Sequence, residues 1–382
     1  MKSKRIIAVH LLNDFSGSPL VFRQALEALE EANLDLVLFT ATPSGSGFLS
    51  NLPGVTMQPI AYKWHPAKLV TLWYYLNIQL RLFFRLLFFL RSTDEVYINT
   101  LLPFGAALAG GLRGCRVVYH VHEVSLKPWL LKAWLRSIAN ITAQEVLFVS
   151  KYTQQQTGLT RPVCRQVYNA LRDSFTEQAS QLTEANTAFP FTALMLCSNK
   201  AYKGIHEFVA CARQLPHIRF MLVLNAKGEE VEVFRNQVSP PDNCSIYPAQ
   251  ADTIPFYEQA HVVLNLSNPD AWVETFGMTA LEAMACGRPI IVPPVGGICE
   301  LIEDSKEGFT VDARKPALVV ERLQLLSSDM NLYLKMAQAA RQRAKFFSAR
   351  RFRQQITDVF VPEQRKDQSV YSVEKLSRIG ND

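Results

Sequence analysis

The sequence predicts an α/β fold of two doubly wound, parallel-sheet domains. Three observations carry this. Short apolar runs of strand length alternate with helical stretches along the chain, beginning with RIIAVH at 5–10, and strands that alternate with helices pair in parallel. The length, 382 residues, suits two domains of ordinary size. A polar, linker-like stretch at 174–190 separates two such series. The boundary therefore falls within 169–190, giving a first domain over 1–170, a second over 171–345, and a polar tail from 362.

The elements follow in order. After the strand at 5–10 comes the loop LLNDFSGS, and Pro19 is read as the first residue of a helix, a position where its missing N–H costs nothing. Strands are expected at 34–39, 55–59, 95–99, 116–120 and 145–148, with helices at 104–110 and 129–140 between the later ones. In the second half, strands are expected at 193–197, 220–224, 245–247, 261–266 and 290–292. Helices fall near 228–237, 253–258 and 278–286, and 328–361 is helical. Ligands of such sheets bind at the carboxyl ends of the strands.

Composition narrows the function. Hydrophobic residues make 48% and charged residues 19%, enough apolar material for large cores. The net charge of +6 fits an anionic ligand or an anionic membrane surface, and no basic run forms a nucleic-acid motif. Seven scattered cysteines without a C-x-x-C pair argue against a disulfide framework or zinc site and for a reducing compartment, the cytoplasm. MKSKRIIAVHLLNDF has too short an apolar core for a signal peptide and reads as the first strand. Residues 66–91, PAKLVTLWYYLNIQLRLFFRLLFFLR, are long, apolar and aromatic, but Asn77, Gln79, Arg81 and Arg85 interrupt them. Two readings stand: a packed helix of the first domain, or a helix that touches a membrane surface.

The chemistry concentrates at 273–297, VETFGMTALEAMACGRPIIVPPVGG. Glu274 precedes Gly277, a short helix carries Glu282, Gly287 ends that helix, and Gly296-Gly297 opens the next. Open N–H groups at a helix N-terminus bind phosphate, and Gly277 leaves the backbone approachable. Carboxylates beside an anion site make sense if the ligand also carries hydroxyls. A nucleotide sugar supplies diphosphate and hydroxyls together.

Here the sequence resembles a family. Glu274 and Glu282 are eight apart, the E-x7-E pattern of the retaining GT-B glycosyltransferases of family four, and ALEAMACGRPIIVPPVGGICELI continues the match. The resemblance implies two Rossmann-like domains facing across a cleft and a hexosyltransferase activity. It implies that Glu274 faces the donor sugar, that Glu282 holds the ribose hydroxyls, and that the backbone of Phe276, Gly277, Met278 and Thr279 meets diphosphate and sugar. In SNKAYKGIHEF, Lys203-Gly204 matches the family's lysine-glycine, a cation for the diphosphate. The family's arginine falls on Ser198, so that contact is lost or supplied by Lys200. His122-Glu123, in HVHEV, resembles the histidine-acid pair near the reacting sugar. VS at 149–150 and Asn169-Ala170 continue the match, and RFRQQITDVF would cross back onto the first domain, so that 346–361 belongs with it. Where relatives carry a glycine pair after the first strand, this chain has Ser16, Gly17 and Ser18, so the acceptor side is less defined. Relatives need no metal or other cofactor, and no Asp-x-Asp metal motif occurs at the site. The implied partners are a nucleotide diphosphate sugar and a polysaccharide or lipid-linked glycan acceptor, with possible peripheral contact at the inner membrane and no nucleic acid.

Two rivals belong to other classes. A nicotinamide oxidoreductase would need G-x-G-x-x-G after the first strand, which is absent. A catalytically inactive nucleotide-sugar-binding or assembly subunit fits the departures at Ser198 and Gly17. Each singled-out residue also has a plainer reading: Glu282 on a solvated helix face, Lys203 in a solvated loop, His122 bonded locally at a strand end.

Overall fold

The computed structural model describes residues 4–62, 65–183 and 190–361. The first domain is built on β1 (Arg5–Leu12), α1 (Gly17–Glu31), β2 (Asp35–Ala41), β3 (Val55–Pro59), α2 (Lys68–Phe89), β4 (Glu95–Asn99), α3 (Phe104–Leu112), β5 (Arg116–Val121), α4 (Trp129–Thr142), β6 (Glu145–Phe148), α5 (Lys151–Thr157) and β7 (Val163–Gln166). Its seven strands are parallel in the order β3-β2-β1-β4-β5-β6-β7.

The second domain has α6 (Asp173–Ser180), β8 (Thr192–Ser198), α7 (Ile205–Gln214), β9 (Arg219–Asn225), α8 (Gly228–Val238), β10 (Cys244–Tyr247), α9 (Ile254–Gln259), β11 (Val262–Leu264), α10 (Met278–Ala285), β12 (Ile290–Val292), β13 (Gly308–Thr310), α11 (Pro316–Ser328) and α12 (Met330–Ala344). A last helix, α13 (Ala349–Phe360), follows. The second sheet is also parallel, in the order β10-β9-β8-β11-β12-β13. In each sheet the order reverses direction once, between β1 and β4 and between β8 and β11, and such a switch point opens a crevice at the carboxyl ends.

Burial follows from the sequence. The central strands are near-continuous Val, Ile and Leu, as strands covered on both faces must be. One face of the first sheet is covered by α2, α3 and α4, through Ile78, Leu82, Leu86, Ala106, Leu135 and Ile138. The other is covered by α1 together with Phe352, Ile356 and Phe360 of α13. Chain crossings are marked by the change of core. Ala170 packs in the first domain and Leu171 in the second, and the return falls between Phe347 and Phe352.

Several expectations are corrected. Pro19 is the third residue of α1, not the first, because Ser16 in extended conformation is the N-cap and any first-turn N–H lacks an intrahelical acceptor. Gly17 and Ser18 are thus helical rather than loop residues. The stretch 174–190 is not linker throughout: α6 occupies Asp173–Ser180, with Ala179 buried against the second domain. The strand expected over 261–266 is regular only at Val262–Leu264; His261 N and Asn265 N still bond Thr192 O and Ile291 O, and the side chains of Asn265 and Ser267 then turn to Glu274. Gly296-Gly297 opens a single 3-10 turn, Gly297–Leu301, instead of a longer helix. The element pair β13 and α11 was not anticipated. The tail from 362 lies outside the described residues.

Candidate active site

The site in the second domain is assembled at the β8/β11 switch point. After β8 ends at Ser198, the chain makes a 3-10 turn, Ala201–Lys203. Gly204 closes it at φ +81°, where a Cβ would lie 2.3 Å from the carbonyl oxygen of Leu266. Glycine is therefore required on two counts, backbone conformation and space. The turn aims Lys203 inward, and its ammonium bonds Glu274 Oε1. Ser267 Oγ donates to the same oxygen at 2.9 Å and Asn265 Nδ2 at 3.4 Å. Burial pushes the Glu274 carboxyl up, but Lys203, Ser267 and Asn265 outweigh it and hold the carboxyl below its ordinary range. Trp272 stacks on Tyr202 with ring centroids 5.5 Å apart, and the Lys203 ammonium sits 5.0 Å from the Trp272 centroid.

Glu282 lies elsewhere on the same unit. It sits within α10 and accepts a hydrogen bond from Tyr257 Oη at 2.7 Å. Burial pushes its carboxyl up to about 6, against the lowering effect of Tyr257 and Arg172. It is not a solvated helix face. The N-terminus of α10 is set by Gly277 at φ +96°. A Cβ there would meet Ile298 at 2.6 Å, so this glycine serves the packing of the Gly297–Leu301 turn as well as the approach to the backbone. Met278 and Thr279 form the first turn, whose N–H groups have no acceptor within the helix. Phe276 is buried, its ring 6.1 Å from Tyr168 and 5.8 Å from Phe347.

The turn at 296–301 is fastened to the Glu274 loop. Gly297 N donates to Glu274 O at 2.8 Å. A Cβ on Gly296 would lie 2.4 Å from that same oxygen, and one on Gly297 1.9 Å from Thr275 O and 2.5 Å from Ser150 Oγ of the first domain. Three residues on, Glu300 bridges the domains. Its carboxylate accepts from Lys151 N at 3.0 Å, Tyr152 N at 2.8 Å, Gln166 Nε2 at 3.0 Å and Tyr168 Oη at 2.9 Å. Ser150 caps the next N–H of α5, Thr153 N, so that the first turn of α5 is satisfied partly from the other domain.

In the first domain, His122 follows β5 and stands over His120 with ring centroids 4.4 Å apart. Burial, then the neighbouring His120 and His10, lowers the His122 imidazole well below its ordinary range, and burial takes His120 down to about 3. Both rings are neutral. His120 Nδ1 pairs with Tyr97 Oη at 2.9 Å, while His122 Nε2 is buried without a hydrogen-bond partner among the described residues. Glu123 does not pair with the His122 ring. It turns away to accept from Leu101 N at 2.7 Å, and burial pushes it up to about 7. Ser16, Gly17 and Ser18 form the start of α1, and Ser18 O accepts from Asn99 Nδ2 at 3.3 Å.

Lys203, Glu274 and the start of α10 thus lie on the loops that follow two neighbouring strands, β8 and β11, and His122 belongs to a separate cluster in the first domain. Lys200 is exposed and Ser198 half-buried at the end of β8. Sequence reasoning missed Ser267, Asn265, Trp272, Tyr202, Tyr257 and Glu300. The signal for Trp272 and Ser267 was present in SNPDAW, the polar stretch that leads into the motif.

The whole architecture is shared with solved structures. The Anabaena HepE protein in complex with UDP and glucose aligns with a TM-score of 0.72 at 18% identity, over 93% of this chain and 98% of that one. A sucrose-phosphate synthase from Thermosynechococcus elongatus gives 0.74 at 17% identity, over 97% and 100%. These likenesses establish the two-domain GT-B fold. Among curated proteins, a D-inositol 3-phosphate glycosyltransferase of Salinispora arenicola is 37% identical over 102 residues, 26% of this chain and 22% of that protein. One from Streptomyces bingchenggensis is 29% identical over 150 residues, 39% of this chain and 32% of that protein. The chain thus spans about a fifth to a third of the length of these relatives. Residues 186–343 match the family described as glycosyl transferases group 1, and they take in the second sheet, Lys203, Glu274 and Glu282, so the second domain of this chain is a glycosyl transferases group 1 domain.

Proposed function

We propose that the chain is a retaining glycosyltransferase that moves a hexose from a nucleotide-sugar donor to a polysaccharide or lipid-linked glycan acceptor. The observation that carries this is the Lys203–Glu274 pair beside the open first turn of α10, at the switch point of the second sheet. A cation and a row of N–H groups suit a diphosphate. A carboxylate held ionised between them suits the hydroxyls of a sugar. Support also comes from HepE, solved with UDP and with UDP-glucose.

In this reading Lys203 and the N–H groups of Met278 and Thr279 stabilise the departing diphosphate as charge develops on it. Glu282 holds the ribose hydroxyls, with Tyr257 fixing its orientation. Glu274 positions the donor sugar and forms no covalent bond to it. The acceptor hydroxyl attacks from the face the diphosphate leaves, and a donor phosphate oxygen takes its proton. The neutral His122, with its free Nε2, faces the sugar from the first domain. Transfer needs no metal. The acceptor is built on a lipid carrier or growing glycan, so the enzyme works in the cytoplasm at the inner face of the membrane.

The test is a thermal-shift panel of UDP, GDP, ADP, TDP and CDP and their sugar conjugates. A true donor nucleotide stabilises by about 2.7 kcal/mol at a hundred times its dissociation constant. Silence across the panel rejects the donor site. Transfer from a labelled donor, with the product anomer read by NMR, then separates a retaining enzyme from an inactive binder. Inositol phosphate among the acceptors tests the specificity in the relatives' name, and transfer in EDTA tests metal independence.

A further inference from the structure

Among the described residues nothing covers the outer side of the helix layer over the first sheet. On α2, Tyr75, Ile78, Leu82 and Leu86 are buried against the sheet. A second apolar stripe runs along the opposite side: Leu69, Trp73, Leu80, Phe84 and Phe88, exposed by 82%, 60%, 58%, 50% and 85%. At 1.5 Å per residue it is about 28 Å long. On α4, Leu135, Ile138 and Ala139 face the core while Trp129, Leu130, Trp134 and Ile141 are exposed. Phe104 of α3 joins the two helices, its ring 5.9 Å from Tyr75 and 6.1 Å from Trp134.

An apolar surface this large marks an interaction site, and charge identifies the occupant. None of α2, α3 and α4 carries an Asp or Glu. The exposed charges on and beside them, Arg81, Arg85, Arg91, Arg113 and Lys127, are all cations. Tryptophan with basic residues suits the headgroup boundary of an anionic bilayer. Among the described residues no helix is long and apolar enough to cross a membrane, so the contact is one of lying on the surface. Both α2 and α4 follow parallel strands and therefore start at the carboxyl edge of the sheet. Trp73 and Trp129 are accordingly near the cleft side of the layer.

We infer that the outer face of α2 and α4 together is a docking surface for an anionic lipid bilayer. This deepens the reading above, whose lipid-linked acceptor would be met at that bilayer, and the two are tested apart. The full chain is sedimented with phosphatidylcholine vesicles with and without phosphatidylglycerol, at low and high salt. Binding is expected with phosphatidylglycerol, weakened by salt. The variant Trp73→Ser/Phe88→Ser/Trp129→Ser, all at exposed positions, should bind about tenfold more weakly or less than that, with melting temperature and nucleotide shift unchanged. Protein that stays in the supernatant at low salt overturns the inference, as does a variant that binds like the wild type. Self-association abolished by the variant, without vesicle binding, also overturns it and makes the face an interface between copies. Loss of the nucleotide shift in the wild-type chain, with vesicle binding intact, would reject the transferase reading and leave the docking surface standing.

Discussion

The ammonium of Lys203 and the carboxylate of Glu274, 71 positions apart in sequence, form one ion pair whose side chains are each only 15% exposed. Removing one partner leaves the other poorly solvated and uncompensated. Lys203→Met or Glu274→Gln alone should destabilise by about 2–4 kcal/mol, somewhat less for a pair not wholly buried, and the double variant should recover part of that loss. Denaturant titration of the three variants gives the coupling, and strictly additive losses would mean that the pair contributes nothing as a pair.

Ligand binding separates the roles of the three charged residues. Lys203→Ala should weaken nucleotide diphosphates and leave the free nucleoside almost unaffected. Glu282→Ala should weaken the nucleotide itself, and Glu274→Ala should chiefly reduce turnover. A charged hydrogen bond is worth about 1.5–3 kcal/mol, so losses of about ten- to a hundredfold are expected. Calorimetry and transfer assays distinguish these outcomes. Equal losses for nucleoside and diphosphate in Lys203→Ala would place the lysine away from the phosphates.

The Glu282 carboxyl, raised by burial from 4.5 to about 6, makes stability depend on pH. Between those values the folded chain holds a proton that the unfolded chain has released. The raised value therefore favours folding below about 4.5, and that advantage is lost as pH rises through 6. Gln at 282 does not titrate. Glu282→Gln should gain stability on the wild type as pH rises from about 4.5 to 6, by on the order of 1–2 kcal/mol, then hold level. Paired melting curves across that range check this, and a pH-independent difference would contradict it.

Gly297 tests the fastening of the Glu274 loop. An added methyl would lie 1.9 Å from Thr275 O, a backbone atom that cannot step aside alone. Gly297→Ala should cost about 1–3 kcal/mol by overpacking and should weaken donor binding, although position 297 is outside the proposed ligand contacts. Unchanged nucleotide affinity would show that the loop keeps its place without this contact.

Glu300→Ala removes all four inter-domain acceptor contacts of one carboxylate. Small-angle scattering should report a larger radius of gyration, and the two domains should melt less cooperatively. Glu300→Gln should fall between, since its amide nitrogen cannot accept from Lys151 N or Tyr152 N. Identical scattering for wild type and Glu300→Ala would show that the contact does not hold the domains together.

Sequence reasoning succeeded where the chemistry is local. Glu274, Gly277, Glu282 and Gly287 lie within fourteen consecutive positions, so spacing alone fixes helix start, helix face and helix end. The buried strands were legible because an apolar run between turn residues has few other uses. What was not legible depends on strand order. Nothing in the local sequence around Lys203 says that β8 lies beside β11, which is what brings its ammonium to Glu274. Glu300 was passed over because its four partners come from the other domain. The part of α6 within 174–190 read as linker because its composition is polar, and its one buried residue, Ala179, with the half-buried Phe175, gives no periodic signal.

The chain passes between the domains twice, and the two passages run side by side: the ring of Tyr168 is 5.2 Å from that of Phe347. Two threads crossing at one place act mechanically as a single pivot. A small angular change at this pivot becomes a displacement that grows with distance from it, so the far rim of the cleft travels furthest while the aromatic cluster at Phe276 and Phe347 hardly moves. On that geometry, any rotation of one domain on the other would change the width of the cleft mouth more than the contacts around Tyr168.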